Sequence, residues 1–148
     1  MPERKLIATL RALHDGGVEF ILVGGLAAVL QGAPIDTFDI DVVHSRDVAN
    51  IARLQPVLEA LDTVFRTSSR LASAGHLKLI TRYGPLDLLD LGYRELLPHS
   101  VDVDIREGLR IRVLDLETLI ALKEELAGEK DRAALPILRR TLEEKRKR

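Results

Sequence analysis

The chain of 148 residues has no cysteine, no tryptophan and only five aromatic side chains. Without cysteine there is no disulfide, no thiolate zinc site and no cysteine nucleophile. So few aromatic rings leave little material for a platform on which successive bases could stack. The four histidines, His14, His44, His76 and His99, are scattered along the sequence and form no local metal motif. Any metal chemistry is therefore that of a hard ion held by oxygen ligands. No apolar run approaches the roughly 18 residues of a membrane span, and the N-terminus, MPERKLIATLRALHDGG, carries charge through its apolar positions rather than a signal-peptide core. The expectation is a cytoplasmic protein with no membrane partner.

What is present is a nearly neutral chain, with net charge −1 and an uneven distribution. The last ten residues, RRTLEEKRKR, hold six basic and two acidic side chains. They read either as a solvated helix end or as a contact for nucleic acid or an acidic partner. A chain of this length buries about 68–70% of its unfolded surface. One domain over 1–148 is expected, with a core over about 1–113 and C-terminal helices over about 115–146.

Apolar residues at 6, 7, 10 and 13 have a helical period, which Gly16-Gly17 ends. EFILV (19–23) is a short buried strand, and Gly24-Gly25 turns the chain into the helix LAAVLQ, stopped by Gly32 and Pro34. FDIDVV (38–43) reads as a strand, followed by a helix over about 47–61. HLKLIT (76–81) and LDLLDL (86–91) form a hairpin around Tyr83-Gly84-Pro85, and VDVDI and LRIRV form another around Arg106-Glu107-Gly108, with Gly108 suited to a left-handed loop position. Two helices close the chain, near 115–127 and 130–146, with Pro136 able to kink or restart the second. The fold class is α/β (α+β), a mixed, mainly antiparallel sheet flanked by helices with a helical C-terminal end.

Asp39 and Asp41 interrupt an otherwise apolar strand and, being two residues apart, point to the same face. Two adjacent carboxylates repel, and burying them without compensation costs several kcal/mol, so something positive should lie between them. A half-exposed amphipathic strand is the alternative. Asp102 and Asp104 repeat the spacing, but the loop register places Asp104 opposite Arg110 and Asp102 opposite Arg112, which makes them cross-strand ion pairs. Asp87 interrupts its strand as Asp39 and Asp41 do, while Asp90, on the opposite face, competes with it for the site. Three carboxylates on two neighbouring strands suit Mg²⁺ or Mn²⁺ with positions left for substrate phosphate. Gly24-Gly25, at a strand-to-helix junction without side chains, suits that phosphate. Lys123 falls in the middle of the apolar arc of Leu116, Leu119, Ile120, Leu122, Leu126 and Ala127, and Asp131 lies on the stripe of Leu135, Leu138 and Leu142. Either Lys123 and Asp131 pair between packed helices, or Lys123 reaches a triphosphate or organises the carboxylates.

Val23-Gly24-Gly25, a thirteen-residue spacer and Asp39-Ile40-Asp41, continued by SRDVANIARL (45–54), TRYGPLDLL (81–89) and VLDLETLIALKEELAGEKD (113–131), resemble a minimal nucleotidyltransferase of the DNA polymerase β-like superfamily. The sequence is most similar to the abortive-infection (AbiEii) type toxin nucleotidyltransferases. The resemblance implies the nucleotidyltransferase fold and transfer of a nucleoside monophosphate from an NTP to a hydroxyl of an RNA end or a protein. It also implies an Mg²⁺ or Mn²⁺ cofactor and a role as the toxin partnered by an antitoxin protein. By similarity Asp39, Asp41 and Asp87 would be metal ligands, Asp87 also the base, Gly24-Gly25 the phosphate turn, and Lys123 and Asp131 the C-terminal site residues. Relatives carry arginine four residues before the first Asp, in Arg-x-Thr-x-Asp; here Thr37 is kept but Ile35 stands in the arginine's place and Asp36 adds negative charge. Arg46 or Lys78 would then have to support the triphosphate, and a catalytically inactive nucleotide-binding or regulatory module is the alternative.

Overall fold

The computed structural model describes residues 4–65, 75–106, 108–126 and 129–147, except the side chains of 126 and 129–131. Ala127 and Glu107 lie outside the described residues, as do the side chains of Leu126 and Asp131. Helix α1 (Arg4–Asp15) buries Leu6, Ile7, Leu10 and Leu13, and Gly17, at φ +74°, ends it in the left-handed conformation that helix C-termini favour. Strand β1 (Phe20–Val23) is buried along its whole length and runs straight into the short helix α2 (Gly24–Leu30), whose Leu26, Ala27 and Ala28 face the core. Gln31 closes α2 by donating from Nε2 to the Leu114 carbonyl at 2.7 Å and to that of Ala27 at 3.1 Å.

Residues 33–39 then run without regular structure to β2 (Ile40–His44). The strand begins two residues later than the alternation over 38–43 predicts, so Asp39 stands just before it. Asn50 lies buried at the start of α3 (Val48–Ala60). It accepts from Glu19 N at 2.7 Å and donates to the carbonyls of Glu19 at 3.0 Å and Ser45 at 2.8 Å. These bonds satisfy its polar atoms and fasten α3 to the chain ends of β1 and β2.

A two-residue strand β3 (Val64–Phe65) leads the second half, followed by β4 (Leu77–Thr81) and β5 (Gly84–Leu88). Their hairpin turns at Arg82-Tyr83, with Thr81 facing Gly84, and not at Tyr83-Gly84-Pro85. Thr81 Oγ1 organises this turn, accepting from Tyr83 N at 3.1 Å and donating to the Gly84 carbonyl at 3.0 Å. A short helix α4 (Tyr93–Leu96) and a 3-10 turn (Leu97–His99) precede β6 (Ser100–Asp104) and β7 (Arg110–Leu114). Helices α5 (Leu116–Leu126) and α6 (Glu129–Arg146) pack together, and α6 passes through Pro136 without interruption. Arg139 bonds Glu124 at 2.8 Å and Arg146 bonds Glu117 at 3.3 Å, so part of the basic tail is spent holding α6 to α5.

Among the described residues seven strands form one sheet, in the order β3-β4-β5-β2-β1-β7-β6. Only the β2–β5 and β1–β7 pairs are parallel; the other four are antiparallel. This mixed, mainly antiparallel sheet with its flanking helices agrees with the predicted fold class. Among the described residues no helix is long and apolar enough to cross a membrane.

Candidate active site

Register across the sheet sets the site. Val23 lies opposite Asp41, Asp41 opposite Asp87, and Asp87 opposite Lys78. Laterally aligned residues share a face, so the two aspartates and Lys78 stand in one row, while Ile40, Val42, Leu77, Leu79, Leu86 and Leu88 fill the core from the other face. This alternation turns the Asp41 carboxylate away from the face that Ile40 and Val42 fill, onto the face it shares with buried Val23 and Val43.

Asp41 is held against the glycine turn. Gly24 has φ +74°, and a Cβ there would collide with Asp41 Oδ2 and come within 3.1 Å of Asp41 Cβ. Glycine is thus required twice at this position, for the backbone conformation and for the carboxylate beside it. Gly25 is nearly as confined, since a Cβ there would meet Thr37 Oγ1 at 3.1 Å and Thr37 Cβ at 3.3 Å. Thr37 also donates to the Asp39 carbonyl at 3.4 Å, so the segment leading into β2 is fastened to the start of α2.

These residues border a cavity of about 540 Å³. Asp36, Asp39, Asp41 and Thr37 line it with Gly24 and Gly25, and Lys123 enters from α5. Lys123 shares this lining with Leu119 and Leu122 of its own helix, and the side chain of Asp131, its other predicted partner, lies outside the described ones. Ile35 lines the wall at the position where the resemblance puts arginine. Among the described lining residues three aspartates face one lysine, so the polyanionic tail of a nucleotide would meet net negative charge unless a cation accompanied it. Carboxylates are the donors that hard divalent ions prefer, and to that extent the lining fits Mg²⁺. Among the described residues, however, no group of three acidic or histidine side chains is close enough to hold an ion together. Asp39 and Asp41 share the cavity; Asp87 is the lateral neighbour of Asp41 on β5 but does not itself line the cavity.

Arg46 and Lys78 stand away from the cavity lining. Arg46 is 3.2 Å from Asp90, and Asp90 also accepts from Gly75 N at 2.8 Å, a bond that holds its carboxyl below the usual range. Asp90 is thereby occupied away from the cavity, which leaves Asp87 as the β5 carboxylate beside Asp41. Lys78 is exposed on β4 beside Asp87 and does not line the cavity. Asp131 belongs to α6, its side chain outside the described ones. Phe38, between Thr37 and Asp39, lines the cavity although the sequence pattern gave it no role. Its signal is visible only in three dimensions, as a large apolar side chain 69% exposed.

No protein-family model matches the chain, and no curated protein does. Solved structures do. The lincosamide antibiotic adenylyltransferase LnuA, in its lincomycin-bound structure, is 16% identical, with TM-score 0.65, over 94% of this chain and 97% of that one. ANT(2'')-Ia in complex with adenylyl-2''-tobramycin is 16% identical, with TM-score 0.63, over 93% of this chain and 87% of that one. The Thermotoga maritima protein TM1012 is 21% identical, with TM-score 0.62, over 95% and 92%. Likeness over nearly whole chains at such low identity is likeness of fold, and the fold of this chain is the nucleotidyltransferase fold.

Proposed function

We propose that this chain is a metal-dependent nucleotidyltransferase that moves a nucleoside monophosphate from an NTP to a hydroxyl. The observation carrying the reading is the packing of the Asp41 carboxylate on Gly24, with Asp39 and Lys123 on the same cavity. Asp39 and Asp41 would hold a divalent cation, Mg²⁺ or Mn²⁺, with Asp87 beside them. When bound, such an ion offsets triphosphate charge and makes an acceptor hydroxyl easier to ionise. In the transfer, the acceptor oxygen bonds the α-phosphorus, the bond from that phosphorus to the bridging oxygen breaks, and its electron pair departs with pyrophosphate. The hydroxyl proton passes to Asp87, the carboxylate that neighbours Asp41 across β2–β5. Gly24-Gly25 lets phosphate oxygens approach the backbone, and the ammonium of Lys123 offsets charge developing on the leaving pyrophosphate.

Two acceptor classes follow. The resemblance to abortive-infection toxins favours an RNA end or a protein hydroxyl, with an antitoxin protein as partner. The likeness to LnuA and ANT(2'')-Ia over nearly their whole lengths supports a small hydroxylated molecule, since those structures contain lincomycin and an adenylylated tobramycin. Pyrophosphate release from each NTP with Mg²⁺, in wild type, Asp39→Ala and Asp41→Ala, tests the reaction. Equal release from all three proteins, or none with any of these acceptors, sinks it.

Ile35 favours a second reading, a nucleotide-binding module without turnover. An apolar wall where the resemblance puts a guanidinium weakens support for a triphosphate. This reading expects calorimetry to find nucleotide binding that does not depend on metal, with no pyrophosphate formed.

A further inference from the structure

We propose that Phe38 is the nucleobase contact of the cavity, and that the site selects its NTP by ring stacking rather than by base-edge hydrogen bonds. The inference rests on the nucleotidyltransferase reading and extends it to the base. Of the five aromatic side chains, Phe20 is in the core, and Phe65, Tyr83 and Tyr93 pack against it. Phe38 alone is neither buried in the core nor one of the partly buried side chains packed on it, and it is 69% exposed. A single exposed apolar side chain is ordinary on a protein surface; its position is what gives this one meaning. It lines the cavity together with Ile35, Leu89, Leu91 and Leu122, and it directly precedes Asp39. Its neighbours fix its backbone on both sides. Thr37 packs on Gly25 and donates to the Asp39 carbonyl, and Asp39 leads into β2.

Phe38 and Asp39 are adjacent, with Cα atoms about 3.8 Å apart, and both line the cavity with Asp41; on this reading the base, one ribose from the bound phosphates, rests against this ring. Every base has a π-face, so one phenyl ring accepts them all and favours the larger purines. Ile35, Leu89, Leu91 and Leu122 carry no side-chain group that could read a base edge, and of the polar lining residues Asp39, Asp41 and Lys123 are assigned to cation and phosphates and Thr37 packs on Gly25. Purine NTPs should therefore bind more tightly than pyrimidine NTPs, with little distinction between ATP and GTP.

Because the chain has no tryptophan, Phe38→Trp creates a sole indole reporter at the cavity. With Mg²⁺ present, its emission should be quenched by ATP and GTP, less by UTP, and not by inorganic tripolyphosphate. In calorimetry Phe38→Ala should weaken ATP binding roughly 5- to 150-fold while leaving tripolyphosphate affinity unchanged. If Phe38→Ala leaves the ratio of ATP to tripolyphosphate affinity unaltered, the base contact is wrong although the phosphate site stands. If wild type binds neither ligand, the nucleotide site fails and the base contact fails with it. Quenching only by a hydroxylated acceptor, and by no nucleotide, also overturns the proposal, because the ring would then serve the other substrate.

Discussion

Asp39-Ile40-Asp41, at the start of β2, and Asp102-Val103-Asp104, within β6, have the same spacing, and each lies near a glycine with positive φ, Gly24 at +74° and Gly108 at +77°. The two regions differ in what surrounds the carboxylates. Asp104 accepts a forked pair of bonds from Arg110, at 2.8 Å and 3.1 Å, on an exposed hairpin. Asp102 has Arg112 as its register partner, yet the hydrogen bond formed by that guanidinium goes to Ser100 Oγ at 3.2 Å. Asp41 instead packs on Gly24 and, with Asp39, faces a cavity. A Cβ at Gly108 would meet nothing within 4 Å, whereas one at Gly24 would strike Asp41. The comparison teaches that one local pattern has two surroundings, an exposed hairpin for Asp102 and Asp104 and a cavity beside a glycine turn for Asp39 and Asp41, and that the fold decides which.

The largest expected effect is on turnover. Asp41→Ala should reduce metal-dependent pyrophosphate release by more than the roughly 10- to 100-fold that loss of an outer-shell partner of a metal costs, while Asp102→Ala should leave it unchanged. Equal losses in steady-state assays would abolish the distinction between the motifs. Next come the glycines. Gly24→Ala combines left-handed strain with a collision and should cost about 2–4 kcal/mol in chemical denaturation, against about 1–2 kcal/mol for strain alone in Gly108→Ala.

A smaller effect separates the strands by pH. His44, buried at the far end of β2, has its pKa lowered from 6.5, chiefly by burial. The folded protein therefore resists a proton that the unfolded chain accepts, so stability is intact above about pH 6.5 and declines as pH falls below it. Thermal melts between pH 7.5 and 5.5 should show that decline, and His44→Gln should flatten it. On β6, Arg110 depresses the pKa of Asp104 below 3.8, so its contribution is present above that value and fades as pH falls further. The smallest effect is that of Asp104→Asn at neutral pH. An exposed pair is largely screened, and melts at low and high salt should barely separate this variant from wild type.

Much of the architecture was legible because it is local. The β6–β7 register follows from a three-residue loop, and pairs Asp104 with Arg110 and Asp102 with Arg112 as the spacing predicts. Helices α1, α3, α5 and α6 follow from apolar periodicity. Strand β3 and helix α4 were missed because two and four residues are too few to display a period. The β4–β5 turn was misplaced by the Gly-Pro signal: Gly84, at φ +115°, is already the first residue of β5, and the hydroxyl of Thr81 builds the turn.

The sequence by itself determined which residues could not belong to an ordinary core: Asp39, Asp41 and Asp87 in apolar strands, Lys123 in an apolar helical arc, and two glycines at a strand end. It could do so because burying a charge is costly whatever the fold. Tertiary structure alone decided which of them meet. Asp41 stands beside Asp87 through a parallel pairing of strands far apart in sequence, and Lys123 reaches the same cavity from a helix about eighty residues downstream. Arg46 is drawn off to Asp90, and Phe38 is left at the cavity with no core to enter. Contacts of that kind depend on loop closure and sheet order, which no local pattern of residues encodes.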